Sequence, residues 1–336
     1  MIMYVFEHVG CQHDSTNRAS RMCGLVHATG VRYEVREAAG RRKLRPVSSR
    51  GLSTRIKTRL RRETRGGDPD FYAGRVVALT GAGSGIGREM AIELNRRGAR
   101  LALAGRHKEN IRETQKLCAA PGDVEVFEVD ICDRVAMAAY AANTIDRFGR
   151  CDVLLANAGI LHVGSVESTS YADFDTVMGI NFGGMVNSVK AFLPHLLSTG
   201  QPARIATVSS ALGLIGSADH APYCASKFAM RGFTESLRAE LARTNVAVTA
   251  VYPGGVRTLI SRSALLAPDV DREKVVKRFE EHIARTDADQ AAHTILAGVE
   301  QGRAQVVIGA DAWLAEFAAR IAGPHFGQVI KLVSKL

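Results

Sequence analysis

The chain has 336 residues, 46% hydrophobic and 23% charged, enough apolar side chains for a full core, which excludes a wholly disordered protein or a fibrous repeat. Its formal charge of +10 is uneven: residues 1–72 hold 15 basic and 7 acidic side chains, residues 73–336 hold 29 and 27. The basic character therefore belongs to the head, and a high isoelectric point says little about the rest of the chain.

Residues 1–72 lack sustained helical or strand periodicity and run through Arg41, Arg42, Lys43, Arg59, Arg61, Arg62 and Arg65 to the breaker Gly66-Gly67-Asp68-Pro69. This segment is expected to be a disordered basic extension. Its Arg- and Ser/Thr-rich composition also suits a transit peptide or a nucleic-acid arm, but no aromatic is interleaved with the basic run to stack on bases, so no nucleic acid is expected as a partner. His8, Cys11, His13, Cys23 and His27 match no common zinc-finger spacing, and no metal is expected. The six cysteines form no CxxC pair, and the N-terminus has no secretory h-region, which points to a reducing, cytoplasmic location.

From Arg75 onward, short β-branched apolar runs alternate with helix-length segments. Strands are expected at 75–79, 100–104, 124–129, 152–156, 204–208, 246–251 and 305–308, with helices such as 85–97, 134–148 and 223–241 between them. Seven strands joined by crossovers imply an α/β fold with a parallel, doubly wound, Rossmann-type sheet. The 264 residues of 73–336 suit one such domain, with a lid at about 259–285 and no separate substrate domain. No stretch reaches the ~20 apolar residues that cross a bilayer. The apolar segment 328–336, with Lys331 and Lys335, is expected to pack on a neighbouring subunit, with membrane contact at most peripheral.

The first strand runs into Thr80-Gly81-Ala82-Gly83-Ser84-Gly85-Ile86-Gly87. A glycine-rich turn that opens a helix lets backbone approach a pyrophosphate and sets it at the positive helix end. In NAD-selective sites an acid after the second strand accepts from the ribose hydroxyls and repels a 2′-phosphate. Here Gly105 stands in that place and Arg106 follows, which favours NADP(H) over NAD(H).

Downstream, Tyr223 and Lys227 lie four apart at the start of a helix and share a face. A neighbouring cation favours the phenolate, which makes Tyr223 a candidate general acid or base. With Ser209-Ser210 upstream, the ordered set of motifs resembles the short-chain dehydrogenase/reductase family in its ordinary, non-extended form. The resemblance spans residues 73–310: the Gly81, Gly85, Gly87 loop, Asp130 after the third strand, Asn157-Ala158-Gly159 after the fourth, Ser210, Tyr223 with Lys227, and Pro253-Gly254 after the sixth. Ala156 departs from the family's frequent first Asn of NNAG.

The resemblance implies roles. Tyr223 would transfer the proton, Ser210 would hydrogen-bond the substrate oxygen, and Lys227 would bind the nicotinamide ribose and lower the phenol pKa. Asn181 would complete a proton relay through water. Gly83, Ser84, Ile86, Asn157, Ala158 and Gly159 would line the cofactor, Asp130 and Ile131 would contact adenine, and Pro253, Gly254, Val256 and Thr258 would hold the nicotinamide end. The family's serine-to-tyrosine spacing selects Ser210 over Ser209. It also implies a homodimer or homotetramer built on the helices carrying Asn181 and Tyr223.

The segments expected to line substrate are Ile160 to Gly164, Ala211 to Ile215, and Leu259, Ile260, Leu265 and Leu266. They are mainly apolar, with His162 and Arg262 as exceptions, so an apolar alcohol or ketone is the expected substrate. The competing reading is a cofactor-binding sensor without turnover; a proton donor set of Ser210, Tyr223 and Lys227 weighs against it.

Overall fold

The computed structural model describes residues 70–322. The expectations placed on the histidines and cysteines of residues 8–27, on the basic run 41–65 and on segment 328–336 lie outside the described residues. In chain order the elements are β1 (Val76–Thr80), α1 (Gly85–Arg96), β2 (Arg100–Gly105), α2 (Lys108–Leu117), β3 (Val124–Glu128), α3 (Arg134–Phe148), β4 (Val153–Ala156) and β5 (His162–Val163). Then follow α4 (Tyr171–Met178), a π-helical turn (Gly179–Gly183), α5 (Gly184–Ser198), β6 (Ala203–Val208), α6 (Ala221–Glu240), β7 (Val246–Pro253) and β8 (Leu265–Leu266). The last are α7 (Arg272–Arg278), α8 (Ala288–Glu300), β9 (Gln305–Ile308) and α9 (Ala310–Ala322).

Seven strands form one parallel sheet in the order β3-β2-β1-β4-β6-β7-β9. The central strands are apolar on both faces because helices cover both. Alternation sorts the side chains: Val77, Leu79, Leu101, Leu103, Val153 and Leu155 pack with Met90 and Leu94 of α1 and with Ile295, Leu296 and Val299 of α8. Their neighbours Val76, Ala78, Ala102, Ala104 and Leu154 pack with Met137 and Tyr140 of α3, Phe192 of α5, and Met230 and Leu237 of α6. Tyr140 is wholly buried, but its hydroxyl donates to the Ala102 carbonyl at 2.7 Å, so no polar group is stranded there.

Two residues upstream of the expected boundary belong to the folded body. Phe71 and Tyr72 are buried, and the Tyr72 hydroxyl donates to the Leu296 carbonyl at 2.8 Å. The Arg75 and Arg204 guanidinium groups lie over the Phe71 ring at 4.2 and 5.0 Å, which fastens the chain's entry to the sheet.

The strand order reverses between β1 and β4, where chain leaving one goes to β2 and chain leaving the other goes to β6. In open α/β sheets such a reversal leaves a crevice at the carboxyl ends of the strands, where ligands bind. The glycine loop, Arg106, Asp130, Asn157 to Gly159, Ser210 and Gly254 all follow the carboxyl ends of strands on that side of the sheet. A second, two-stranded sheet pairs β5 with β8 above it. The excursion that carries β8 and α7 is closed at its base, where Val256 bridges Thr286 and Arg257 ion-pairs with Asp287.

Candidate active site

The glycine loop is forced by close approach. Gly81 has φ +69° and Gly85 φ +51°, left-handed backbone that favours glycine. A Cβ on Gly87 would lie 2.1 Å from the Gly81 carbonyl oxygen, and one on Gly85 would lie 2.9 Å from the Thr258 methyl. The loop is also tied down by its neighbours. The Asn157 amide donates to the carbonyls of Thr80 and Gly81 at 3.1 and 3.2 Å, and the Thr80 hydroxyl accepts from the N–H groups of Asn157 and Ala158.

At the start of α1 the Ser84 side chain makes no capping bond, so the first N–H groups of the helix face outward without a protein acceptor. The concave, amide-lined surface with a helix N-terminus behind it fits a pyrophosphate. Thr258 touches this loop from the far side, which brings the segment after β7 against the segment after β1. That segment is held by a residue the sequence did not reveal: Asp311 at the start of α9 accepts from the Gly255 N–H at 2.7 Å and lies against Gly254 and Gly309. Val256 is buried beneath it, and Pro253 ends β7.

At the edge of β2, Gly105 closes the strand and Arg106 is exposed. The Arg106 guanidinium has no hydrogen bond or ion pair among the described residues, leaving its fork open to a ligand. Asp130 accepts from the Cys132 N–H at 2.9 Å, and Ile131 beside it is buried against Gly184.

Around Gly159 the remaining candidates meet. A Cβ there would lie 3.0 Å from Asn181 Oδ1 and 3.3 Å from Lys227 Nζ. Asn181 sits in the π-helical turn, fully buried, and its amide is spent on positioning: it accepts from the Ile160 N–H at 2.8 Å and donates to the Ile160 carbonyl and the Ser226 hydroxyl, both at 3.0 Å. Ser226 in turn donates to the Tyr223 carbonyl at 2.7 Å, so Asn181 joins the loop after β4 to the first turns of α6.

The adjacent serines part company. Ser209 donates to the Lys227 carbonyl at 2.9 Å and is buried, whereas the half-buried Ser210 accepts from the Leu212 N–H and hydrogen-bonds the Tyr223 phenol. Burial pushes the Tyr223 hydroxyl up to about 12, with the Ser210 hydrogen bond opposing. Lys227 lies 5.6 Å from the Tyr223 ring centre, but its ammonium donates to the Val208 carbonyl at 3.0 Å and contacts Met230 Sδ at 3.6 Å. Burial brings Lys227 down to about 7. Helical spacing thus delivers the pair, while the lysine tip finds the nearest carbonyl and does not itself depress the phenol in this geometry.

Leu161 and Ala264 are buried against Tyr223, with Val163, Leu212, Ile260 and Leu266 around them, so part of the apolar lining expected over the site gathers there; Ala211, Leu214 and Ile215 pack instead with Tyr252, Val307 and Ala312, and Leu259 is exposed, because the turn after β6 lies against β7 and β9. The two polar exceptions differ from each other. Arg262 is exposed and bonded to Glu280 at 2.8 Å. His162 is fully buried, with no hydrogen bond on either ring nitrogen among the described residues. Burial holds its pKa below the usual value, with Asp173 opposing and His220 assisting. Among the described residues no cluster of His, Cys, Asp and Glu could hold a metal ion, and no helix is long and apolar enough to cross a membrane.

A doubly wound parallel sheet with a glycine cradle at its reversal point, and a Ser, Tyr and Lys set beside it, defines a nicotinamide-dinucleotide-binding oxidoreductase domain. Residues 75–267 match the family model for short chain dehydrogenases. SadH of Mycobacterium tuberculosis is 37% identical over 262 residues, covering 77% of this chain and 95% of that protein. The dehydrogenase/reductase SDR family member 7B of Bos taurus is 36% identical, covering 71% of this chain and 74% of its own. Among solved structures, levodione reductase aligns with a TM-score of 0.65 at 26% identity, covering 72% of this chain and 98% of that one. The chain belongs to the short-chain dehydrogenase/reductase family, in its ordinary form.

Proposed function

We propose that this protein is an NADP(H)-dependent oxidoreductase that interconverts an apolar alcohol and the corresponding ketone or aldehyde. The observation that carries the reading is that Asn181 and Lys227 meet about Gly159, in the loop that follows β4, while Ser210 bonds the Tyr223 phenol within the apolar cluster of Leu161, Leu212, Ile260 and Ala264. The loop residues Gly81, Gly85, Ile86 and Gly87 would hold the pyrophosphate, Gly83 and Ser84 the adenosine ribose end beside Arg106, which would take a 2′-phosphate, Asp130 and Ile131 the adenine, and Asn157 to Gly159 with Pro253 to Thr258 the nicotinamide side. The bound dinucleotide supplies or accepts the hydride.

In the reducing direction the Tyr223 hydroxyl gives its proton to the carbonyl oxygen, and Ser210 donates a hydrogen bond to the same oxygen as negative charge grows there. A phenol near 12 is a weak acid, so the proton leaves only as the oxygen gains charge. Lys227, with a pKa brought to about 7, can hold or release a proton at working pH, and since its ammonium bonds the Val208 carbonyl, that proton would reach the phenolate only through an intervening hydroxyl or water. Asn181 fixes the loop and helix that face each other across this path. In the oxidising direction the same groups act in reverse.

The apolar lining favours a substrate with little charge, since Arg262 is exposed and paired with Glu280 and burial disfavours a charged His162. Assembly as a homodimer or homotetramer through the helices that carry Asn181 and Tyr223 agrees with the exposure of Phe228 on α6, and a cytoplasmic location goes with the same reading.

Calorimetric titration with NADPH and NADH, followed by a screen of apolar ketones and aldehydes, tests the reading. Tighter NADPH binding and turnover are expected, with Tyr223→Phe losing turnover by a factor of at least about 100 while keeping cofactor affinity. Binding of neither dinucleotide, or a Tyr223→Phe enzyme with most of its activity, refutes it.

A further inference from the structure

Behind the glycine loop lies a polar latch that no sequence motif marks. Arg88, one turn into α1, sends its guanidinium back to the Gly83 carbonyl at 2.7 Å and to the Thr114 hydroxyl at 3.2 Å, with a longer contact to the Asn110 carbonyl at 3.5 Å. Thr114 on α2 is fully buried, and its hydroxyl donates to the Ala82 carbonyl at 2.9 Å. Arg88 is half-buried beside the loop and forms no ion pair within 4 Å among the described residues.

The two latched carbonyls belong to the peptides Ala82–Gly83 and Gly83–Ser84. In a trans peptide the C=O and N–H point in opposite directions, so turning these oxygens toward α2 turns the Gly83 and Ser84 N–H groups away from it. Neither N–H has a protein acceptor among the described residues. The same loop is stitched to the end of β2, where the Ala104 carbonyl accepts from the Gly81 and Ala82 N–H groups at 2.8 and 3.2 Å. Arg106, two residues beyond Ala104, makes no hydrogen bond or ion pair among the described residues.

We infer that Arg88 and Thr114 are positioning residues for the 2′-phosphate end of the cofactor: they aim the Gly83 and Ser84 amides at a phosphate that Arg106 holds from the other side. The inference rests on the dinucleotide reading and deepens it. Without the latch the two peptides are free to rotate, and the oriented donors are lost; the guanidinium also polarises the Gly83–Ser84 peptide, which strengthens its N–H as a donor to an anion.

The test is calorimetry on the full chain with two probes that lack nicotinamide, adenosine 2′,5′-bisphosphate and AMP, together with the thermal midpoint of each variant. Arg88→Met and Thr114→Val are expected to weaken the bisphosphate about tenfold and AMP no more than about threefold. Arg88→Lys, which still presents a cationic donor to the Gly83 carbonyl, is expected to recover most of the loss. Bisphosphate affinity within about twofold of wild type in both variants overturns the inference, as do equal losses for the two probes, which mean general loosening of the loop. A wild-type chain that binds neither the bisphosphate nor NADPH refutes the dinucleotide reading itself and the inference with it; a wild-type chain that binds while the variants bind equally refutes the inference alone.

Discussion

Replacing Lys227 by Met removes a buried ammonium whose only strong partner is the Val208 carbonyl. Its pKa stands near 7 against an ordinary 10.5, a difference worth about 5 kcal/mol in favour of the neutral amine. The sign follows from proton binding. Below about pH 7 both folded and unfolded chains hold the proton, and the folded state bears the whole cost of desolvating it. Between about 7 and 10.5 the unfolded chain still binds a proton the folded chain has released, so stability rises with pH, and above 10.5 the cost is gone. At pH 7 the burden is about 4 kcal/mol, and losing the hydrogen bond to Val208 takes back about 1 kcal/mol. Lys227→Met is therefore expected to be more stable than wild type by about 3 kcal/mol at pH 7, with that advantage nearly gone at pH 10, while turnover is lost. Urea unfolding of both proteins without cofactor, at the two pH values, reads this difference; the tyrosines and cysteines that titrate in alkali cancel between the two chains. A variant less stable than wild type at pH 7, or an advantage that persists to pH 10, refutes the reasoning.

Two further outcomes follow from the cofactor cradle. Arg106→Ala is expected to weaken NADPH binding by about 10- to 100-fold and NADH binding by less than about threefold, because only the former carries the 2′-phosphate; calorimetry showing equal losses contradicts it. Gly85→Val places a β-branched side chain at φ +51° with its Cβ 2.9 Å from the Thr258 methyl. Dinucleotide binding should fall below detection, with about 1–3 kcal/mol of stability lost in the urea midpoint. Near-normal binding by this variant counts against the close packing of loop and Thr258.

The sheet was legible because its strands are apolar on both faces and short, so runs such as Val76 to Leu79 or Val153 to Ala156 stand out between helical stretches. Their ends drifted by a residue or two: β1 reaches Thr80 and β7 reaches Pro253, since backbone pairing outlasts the apolar run. The lid sheet was not legible, because strands of two residues carry no period. Nor was the π-helical turn at Asn181, which inserts a residue into the hydrogen-bond ladder without any signal in side-chain type. The spacing of Tyr223 and Lys227 places both on one face, but the period of a helix locates Cβ atoms and not the end of a four-carbon chain. Hence the ammonium's choice of Val208 over the phenol had to come from the structure.

The contrast between polar groups inside the body and at the crevice explains why the site is where it is. Away from the crevice, buried hydroxyls are satisfied by backbone or by one another: Thr144 donates to the Tyr140 carbonyl, Ser188 to the Gly184 carbonyl, and Thr207 meets Thr234 at 2.8 Å. At the carboxyl end of the sheet, among the described residues, an ammonium is buried without a carboxylate, the Gly83 and Ser84 amides have no protein acceptor, and the exposed Arg106 guanidinium makes no hydrogen bond or ion pair. The buried ammonium costs stability in the free protein, whereas the exposed guanidinium and loop amides are held by water that an anion can displace. A fold selected for stability alone would fill these positions with apolar side chains or paired charges. If the dinucleotide binds in this crevice as proposed, ligand-induced stabilisation is the physical signature of the site: the thermal midpoint should climb with dinucleotide concentration in wild type more steeply than in Lys227→Met, which lacks the ammonium.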